Sequence, residues 1–386
     1  MPKKPRAAGD VVGELLYADT ATNADALYRT RFAAGDPFVT LRVGRRIIGA
    51  VPLLEVNRAK EEGRFTEVLN FTELLAGLRK TKPSAGVADV VAAVADGAGV
   101  TLLRVPDHFP AGLAQRIRDL GVRLELATGV FLPGRILKDD YETESLRKAN
   151  RAAVAGFKAV EKILKASAIK KGVVYFEGKP LTSERLHFAI DVAALEHGAM
   201  NVQPSIAAAG IQAVDCHCHG HGVIRANELI VVDIFPRHTA TGYFGDMTRT
   251  YLKGKATPEQ RRMVNAVKKA HEIGVKGVKA GVTGAALQEA VVKWFDSQGY
   301  TTGKEGPYFT GFFHSLGHGV GLQVHEEPSV STRGSGLDPL KAGMAITIEP
   351  ALYYPAIGGC RFEDSVIVTK TGCELLAKHP YRWEIA

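Results

Sequence analysis

Apolar positions recur along this chain in two rhythms, and the change of rhythm divides it. Up to about residue 138, short apolar runs exchange with short helical patterns. Phe38–Val43 and Arg46–Val51 are apolar-rich runs joined at Gly44, which predicts a hairpin. Residues 85–95 carry a helical pattern that stops at Gly97 and Gly99, and residues 100–105 read as a strand broken by Pro106. Residues 110–120 place Leu113, Ile117 and Leu120 on one helical face before Gly121, and residues 122–126 form another strand pattern. Strand, helix, strand, helix, strand implies an α/β domain with a partly parallel sheet. Asp19, Asp25 and Asp36 lie among turn formers and read as turn or cap residues. His108, the one histidine of this part, reads as a surface or capping residue.

Beyond the breaker Pro133-Gly134 the helical period lengthens. Residues 141–166 are the longest such stretch, with Leu146, Ala149, Ala153, Phe157, Val160 and Leu164 at steps of three and four. Asp139 and Asp140 stand at its start, where carboxylates suit capping and the helix dipole. Further helices are expected over about 183–197, 258–279 and 283–298, with strands between them. The expectation is an α+β chain of two domains, 1–138 and 139–386, with antiparallel sheet in the second.

Composition changes this picture little. A chain of 386 residues, 46% hydrophobic and 23% charged, is balanced like a globular protein with ample core. No apolar run reaches membrane-spanning length, and the basic start MPKKPRAAGD leads into no apolar segment, so neither membrane insertion nor a secretory leader is expected. The four cysteines, Cys216, Cys218, Cys360 and Cys373, make no disulfide framework for so long a chain, which suggests a reducing cytoplasm. The net charge of +8 raises nucleic acid as a partner, but Lys and Arg are scattered in short runs, which argues for a generally basic surface instead.

The candidate chemistry lies in five short stretches. Residues 312–326, FFHSLGHGVGLQVHE, set His314, His318 and His325 among Gly317, Gly319 and Gly321; three imidazoles so placed suit metal ligation and proton transfer. The buried-strand pattern ELIVVDIF holds one acid, Asp233, and such an acid needs a partner. YFGDMTRTY, a turn later, brings Asp246 on the same face of the expected hairpin. A second pair of strands, MAITIEP and CRFEDSVIVT, brings Glu349 opposite Glu363. Four carboxylates that converge repel one another unless they are protonated, matched by bases or bound to cations. Four carboxylates and one imidazole carry too much negative charge for a structural zinc, and suit two divalent ions that share bridging carboxylates. The stretch DCHCHGHG, with Cys216, His217, Cys218, His219 and His221, is a rival metal site, but alternate residues of an extended chain point apart, which suits tetrahedral zinc poorly.

These motifs, IVVDIF, GDMTRT, HSLGHGVGLQVHE, TIEP and RFEDSVIV, together resemble the pita-bread metallopeptidases, over about residue 141 to the end. The resemblance implies an N-terminal α/β creatinase-like domain followed by a catalytic pita-bread domain. Asp233 would bind one ion, Asp246 and Glu363 would bridge both, and His318 and Glu349 would complete the other. The first 138 residues and His314, four before His318, point to the aminopeptidase P and prolidase branch. That branch implies hydrolysis of Xaa-Pro bonds at peptide N-termini through a metal-bridging hydroxide. Glu349 would be the general base; His325 and His217 would stabilise the intermediate, and His314 would shape the pocket for proline. Manganese is the first expectation for the ions, with cobalt, iron and zinc as alternatives. A homodimer is implied too. A creatinase-like metal-free hydrolase and a non-catalytic pita-bread module that binds protein or nucleic acid are the alternatives. Departures are the long Asp233–Asp246 interval, Met247, and the histidine-rich loop, where His219 and His221 compete with His217 for the family's substrate-facing histidine. Preference for dipeptides or longer peptides is left open.

Overall fold

The structure, a computed structural model, describes residues 9–386. The chain divides into two compact units, Met1–Pro133 and Gly134–Ala386. In the first, a six-stranded sheet runs in the order Glu67–Asn70, Arg46–Val51, Phe38–Val43, Val12–Ala18, Leu102–Val105, Leu124–Leu126. The expected hairpin forms, with Val43 opposite Arg46 around Gly44 at positive φ. The strands after it pair in parallel, Leu102–Val105 with both Val12–Ala18 and Leu124–Leu126. Helices Val87–Gly97 and Ala111–Asp119 bury Val90, Val91, Val94, Leu113 and Ile117 with Leu15, Leu41, Ile48 and Leu103. The central strand Val12–Ala18 is absent from the sequence reading, because its acid Glu14 interrupts the apolar pattern; the structure pairs Glu14 with Arg29 and Arg42. Asp19 closes a turn by accepting from the Thr22 amide, while the cap of helix Ala24–Thr30 is Asn23. The exposed His108 meets Asn23 Nδ2 at 3.3 Å and Asp107 Oδ1 at 3.2 Å.

In the second unit the long helix is Asp140–Ala166. Asp139 accepts from the Glu142 amide at 2.8 Å and Glu142 returns a bond to the Asp139 amide at 2.8 Å, a reciprocal cap of two otherwise unpaired amides. Its predicted apolar stripe is buried throughout, from Leu146 to Leu164. Helices Ser183–Glu196, Pro258–Gly277 and Gly284–Ser297 follow, each started by a threonine cap, Thr182, Thr257 or Thr283.

Two sheets carry the site. One runs Ile206–Ala209, Leu229–Ile234, Met247–Lys253, Glu384–Ile385; the other runs Glu326–Val330, Gly317–Gly319, Ala345–Ile348, Asp364–Val368, Cys373–Leu375. In the first, Asp233 stands opposite Thr248, which puts Asp246, two residues before Thr248, on the same face. In the second, Ile348 opposes Asp364, and beyond a gap Ala351 opposes Arg361 in unchanged register. Glu349 and Glu363 fall in that gap. Their amides have turned to other strands: Glu349 N–H donates to Leu316 O at 2.7 Å and Glu363 N–H to Thr248 O at 3.1 Å. That second bond ties the two sheets together at the site.

Candidate metal centre and the surrounding histidines

One carboxylate oxygen each from Asp246 and Glu363 and one ring nitrogen of His318 lie within 4.8 Å of one another. Among the described residues they form the group of histidine and acid side chains able to share an ion. His318 Nε2 is also 3.4 Å from Glu349 Oε1 and 3.6 Å from Asp246 Oδ2. His318 Nδ1 lies 3.2 Å from the carbonyl of Gly319, which can only accept. Nδ1 therefore carries the proton, and Nε2 turns its lone pair toward two carboxylates. Asp233 is in electrostatic reach of Asp246, Glu349 and Glu363. Its Oδ2 accepts from Arg361 Nη2 at 2.8 Å, while its Oδ1 is buried with no hydrogen-bond partner. An orphaned carboxylate oxygen and an imidazole lone pair facing acids are both unfavourable without a cation, and both fit one.

Electrostatics agree. Burial raises the carboxyls of Asp246 and Glu363 well above the usual range, and neighbouring acids add to it: Glu363, Asp233 and Glu349 for the first, Glu349 and Asp233 for the second. Burial, with Asp233 adding and Arg361 opposing, pushes Glu349 up to about 8. Burial holds His318 neutral, down to about 3. Among the described residues Arg361 is the buried guanidinium that opposes the raised carboxyls of Asp246, Glu349 and Glu363, and so much acid around one cation suits divalent ions.

Each of these side chains is placed by local structure. Asp246 N–H donates to Asn150 Oδ1 at 3.3 Å, and its carbonyl accepts from Ser365 Oγ at 2.7 Å. Thr248 Oγ1 donates to Glu363 Oε2 at 2.7 Å. Gly317 lets the His318 strand approach its neighbour: a Cβ there would lie 2.0 Å from the carbonyl oxygen of Thr347.

The other histidines differ in their freedom. His314 Nδ1 lies 2.8 Å from Ser315 O and Nε2 3.2 Å from Tyr353 OH, which in turn accepts from Arg361 Nη1 at 2.7 Å. Both its nitrogens are engaged, and burial takes it down to about 4. Its ring packs against Phe312, Phe313 and Tyr353, and it borders a cavity of about 740 Å³ with Phe309, Gln288 and Arg333. The exposed His325 ring stands edge-on to His318, with centroids 4.3 Å apart. His217 is exposed and lies within electrostatic reach of both His314 and His325; the carbonyl of its neighbour Cys216 accepts from Arg361 Nη1 at 3.2 Å. His219 faces His187 instead, whose Nε2 is 2.9 Å from the His219 carbonyl. His221 joins Gln212 through its backbone.

Residues 144–370 match the profile of metallopeptidase family M24. The chain belongs to that family. It is 37% identical to the Xaa-Pro dipeptidase of Pyrococcus furiosus over 163 residues, 41% of this chain and 43% of that protein, so the match spans less than half of that relative's length. It is 31% identical over 295 residues to the "Probable dipeptidase PepE" of Mycobacterium bovis, 76% of this chain and 72% of that one. The structure of an Xaa-Pro dipeptidase from Bacillus anthracis superposes with a TM-score of 0.80 at 25% identity, covering 97% of this chain and 95% of that one. The M24 family implies divalent metal ions, and the cluster described above is where this chain can hold them.

Of the two arginines beside Glu363 and Asp246 in sequence, Arg361 buttresses an acid, Asp233, whereas Arg249, among the described residues, makes no hydrogen bond to the carboxylate of Asp246 or Glu363. It pairs with Asp364 at 2.7 Å and donates to the backbone carbonyls of Glu363, Thr248 and His379. Strand alternation explains this: Asp364 points away from the face that Arg361 and Glu363 share. Tyr353, the link between Arg361 and His314, went unnoticed. Its signal was available, because Glu349, Ala351 and Tyr353 share one face in an extended chain.

Proposed function

We propose that this protein is a metal-dependent exopeptidase that releases the first residue from peptides with proline in second place. The observation that carries this reading is the convergence of Asp246, His318 and Glu363, with Glu349 at 3.4 Å from His318 and the unpartnered oxygen of Asp233. The names of the relatives support the Xaa-Pro preference. Asp233, Asp246, His318, Glu349 and Glu363 would hold two divalent ions. Oxygen donors with one nitrogen suit manganese first, and cobalt, iron or zinc by availability. Bound ions would supply Lewis acidity and lower the pKa of water at the site.

The chain's own residues do the rest. The Glu349 carboxylate is the base that takes the proton and returns it to the leaving amine. His325, exposed beside His318, and His217, in reach of His325, offer N–H donors to the oxyanion that develops on the scissile carbonyl. His314 keeps its nitrogens on Ser315 and Tyr353 and presents ring carbon to the proline. Arg361 fixes Asp233 and Tyr353 together. Residues 1–138 are assigned as the creatinase-like domain and 139–386 as the catalytic pita-bread domain. The four thiols are free, which supports a cytoplasmic home, and the family supports a homodimer. The test is a metal-dependent assay on Ala-Pro and on longer Xaa-Pro-Yaa peptides. Release of the first residue is expected; no release from any Xaa-Pro peptide by metal-loaded protein overturns the proposal.

A further inference from the structure

His325 has a ring that no hydrogen bond holds among the described residues, yet the proposed chemistry needs that ring aimed. Its aim comes from its edge-on packing against His318 and from the backbone, and the next residue shows how the backbone is fixed. Glu326 Oε1 accepts from Lys138 Nζ at 2.6 Å and Oε2 from Arg135 Nη2 at 2.6 Å. These side chains are only 8%, 1% and 12% exposed for Glu326, Lys138 and Arg135. One cation would neutralise the acid. Two cations, one on each oxygen, also stop the carboxylate from turning. The cations are themselves tethered: Lys138 Nζ donates to Arg135 O at 2.6 Å, and Lys138 N–H to Gly343 O at 2.8 Å.

The loop is built around this carboxylate. Arg135 Nη2 also donates to Gln323 Oε1 at 2.9 Å, and Gln323 N–H points to Glu326 Oε2 at 3.4 Å. At Gly321 a Cβ would come within 2.3 Å of Glu326 Oε1, so only glycine leaves the carboxylate its place. Gly321 O accepts from Phe244 N–H at 2.8 Å, two residues before Asp246. Residues 321–326 are thus pinned at both ends. Buried ion pairs add little net stability but select one geometry, since a charge displaced from its partners is left desolvated.

We infer that Arg135, Lys138 and Glu326 are positioning residues for His325. Residues at the start of the catalytic unit, nearly 190 positions upstream, therefore aim a histidine of the active site. The inference rests on the proposed role of His325, and its test separates the two. Glu326→Gln and Lys138→Met are made in the full-length protein, with Lys138→Arg as the conservative variant. The imidazole resonance of His325, assigned by its loss in His325→Ala, is read by NMR without metal or substrate. It is expected to shift or broaden in Glu326→Gln and Lys138→Met and to return in Lys138→Arg. Manganese stoichiometry by elemental analysis stays at the wild-type value. With an Xaa-Pro peptide, kcat falls roughly ten- to a hundredfold with KM within about twofold, and in the His325→Ala background Glu326→Gln adds less than about twofold. Should Glu326→Gln not fold, Arg135→Gln, which keeps the Lys138 contact, carries the same readings. An unmoved His325 resonance in a folded variant, or losses that add fully, overturns the inference. If wild type cleaves nothing, the peptidase reading falls while the NMR arm still decides this one.

Discussion

Replacing Arg361 by Met removes the one guanidinium that the four acids share. In the structure it spends Nη2 on Asp233 at 2.8 Å, Nη1 on Tyr353 OH at 2.7 Å and Cys216 O at 3.2 Å, and Nε on Thr248 Oγ1 at 3.2 Å. Asp233, with Oδ1 already unpartnered, is then left with neither oxygen bonded. Removing one partner of a buried ion pair costs about 3–5 kcal/mol, because the remaining charge stays desolvated. For a unit of this size, that is a fall in Tm of about 6–20 °C. Bound cations take over the compensation, and loss of a positive neighbour strengthens their hold. The rise in Tm on adding manganese is therefore larger in the variant than in wild type, although its metal-free Tm is lower. Thermal unfolding followed by circular dichroism, with chelator and then with manganese, measures both. Arg361→Lys, which keeps the charge but cannot span four partners, falls between. A metal-free Tm within about 2 °C of wild type, or a smaller manganese-induced rise, would refute the electrostatic reasoning.

Gly317→Ala drives a Cβ against the Thr347 carbonyl and is expected to yield no folded protein by gel filtration, whereas Gly77→Ala, in open space on helix Phe71–Arg79, is expected to be neutral or to raise stability by about 0.5–1 kcal/mol. In chelated protein Glu349 holds its proton up to about 8 when folded, against about 4.3 when unfolded. The folded state binds the extra proton in that window, so this group's stabilisation is whole below pH 4 and is lost as pH rises through 8. Denaturant titrations from pH 5 to 9 should show Glu349→Gln lessening that loss, and saturating manganese abolishing it; identical profiles for variant and wild type count against it. Tyr353→Phe strands His314 Nε2 and one bond of Arg361, at a cost of about 1–3 kcal/mol by denaturant unfolding. An unchanged midpoint there would deny the Arg361–Tyr353–His314 chain its role.

What the chain discloses by itself is local in origin. Alternation along CRFEDSVIVT puts Arg361 and Glu363 on one face, and the structure keeps them there, with Phe362, Val366 and Val368 in the apolar core behind. The long helix and its Asp139 cap are legible because cap and stripe are neighbours in sequence. Pairings between distant segments are not legible in this way. Nothing near Glu326 announces Arg135 and Lys138, and nothing near Arg249 announces Asp364 rather than a ligand. The strand Val12–Ala18 escaped because Glu14 looks like an exposed charge until Arg29 and Arg42 close on it. Among His217, His219 and His221, spacing alone cannot choose, because what each histidine meets depends on residues distant in sequence: the His219 carbonyl lies 2.9 Å from His187 Nε2, and His217 is in electrostatic reach of His314 and His325.

On the proposed function, Asp233, Asp246, His318, Glu349 and Glu363 together hold two cations. Anomalous diffraction at the manganese edge from crystals grown with manganese tests it directly. Two peaks about 3.5–4 Å apart are expected, with Asp246 and Glu363 touching both and the free oxygen of Asp233 on one. A single peak, or peaks lying away from these five side chains, would contradict it.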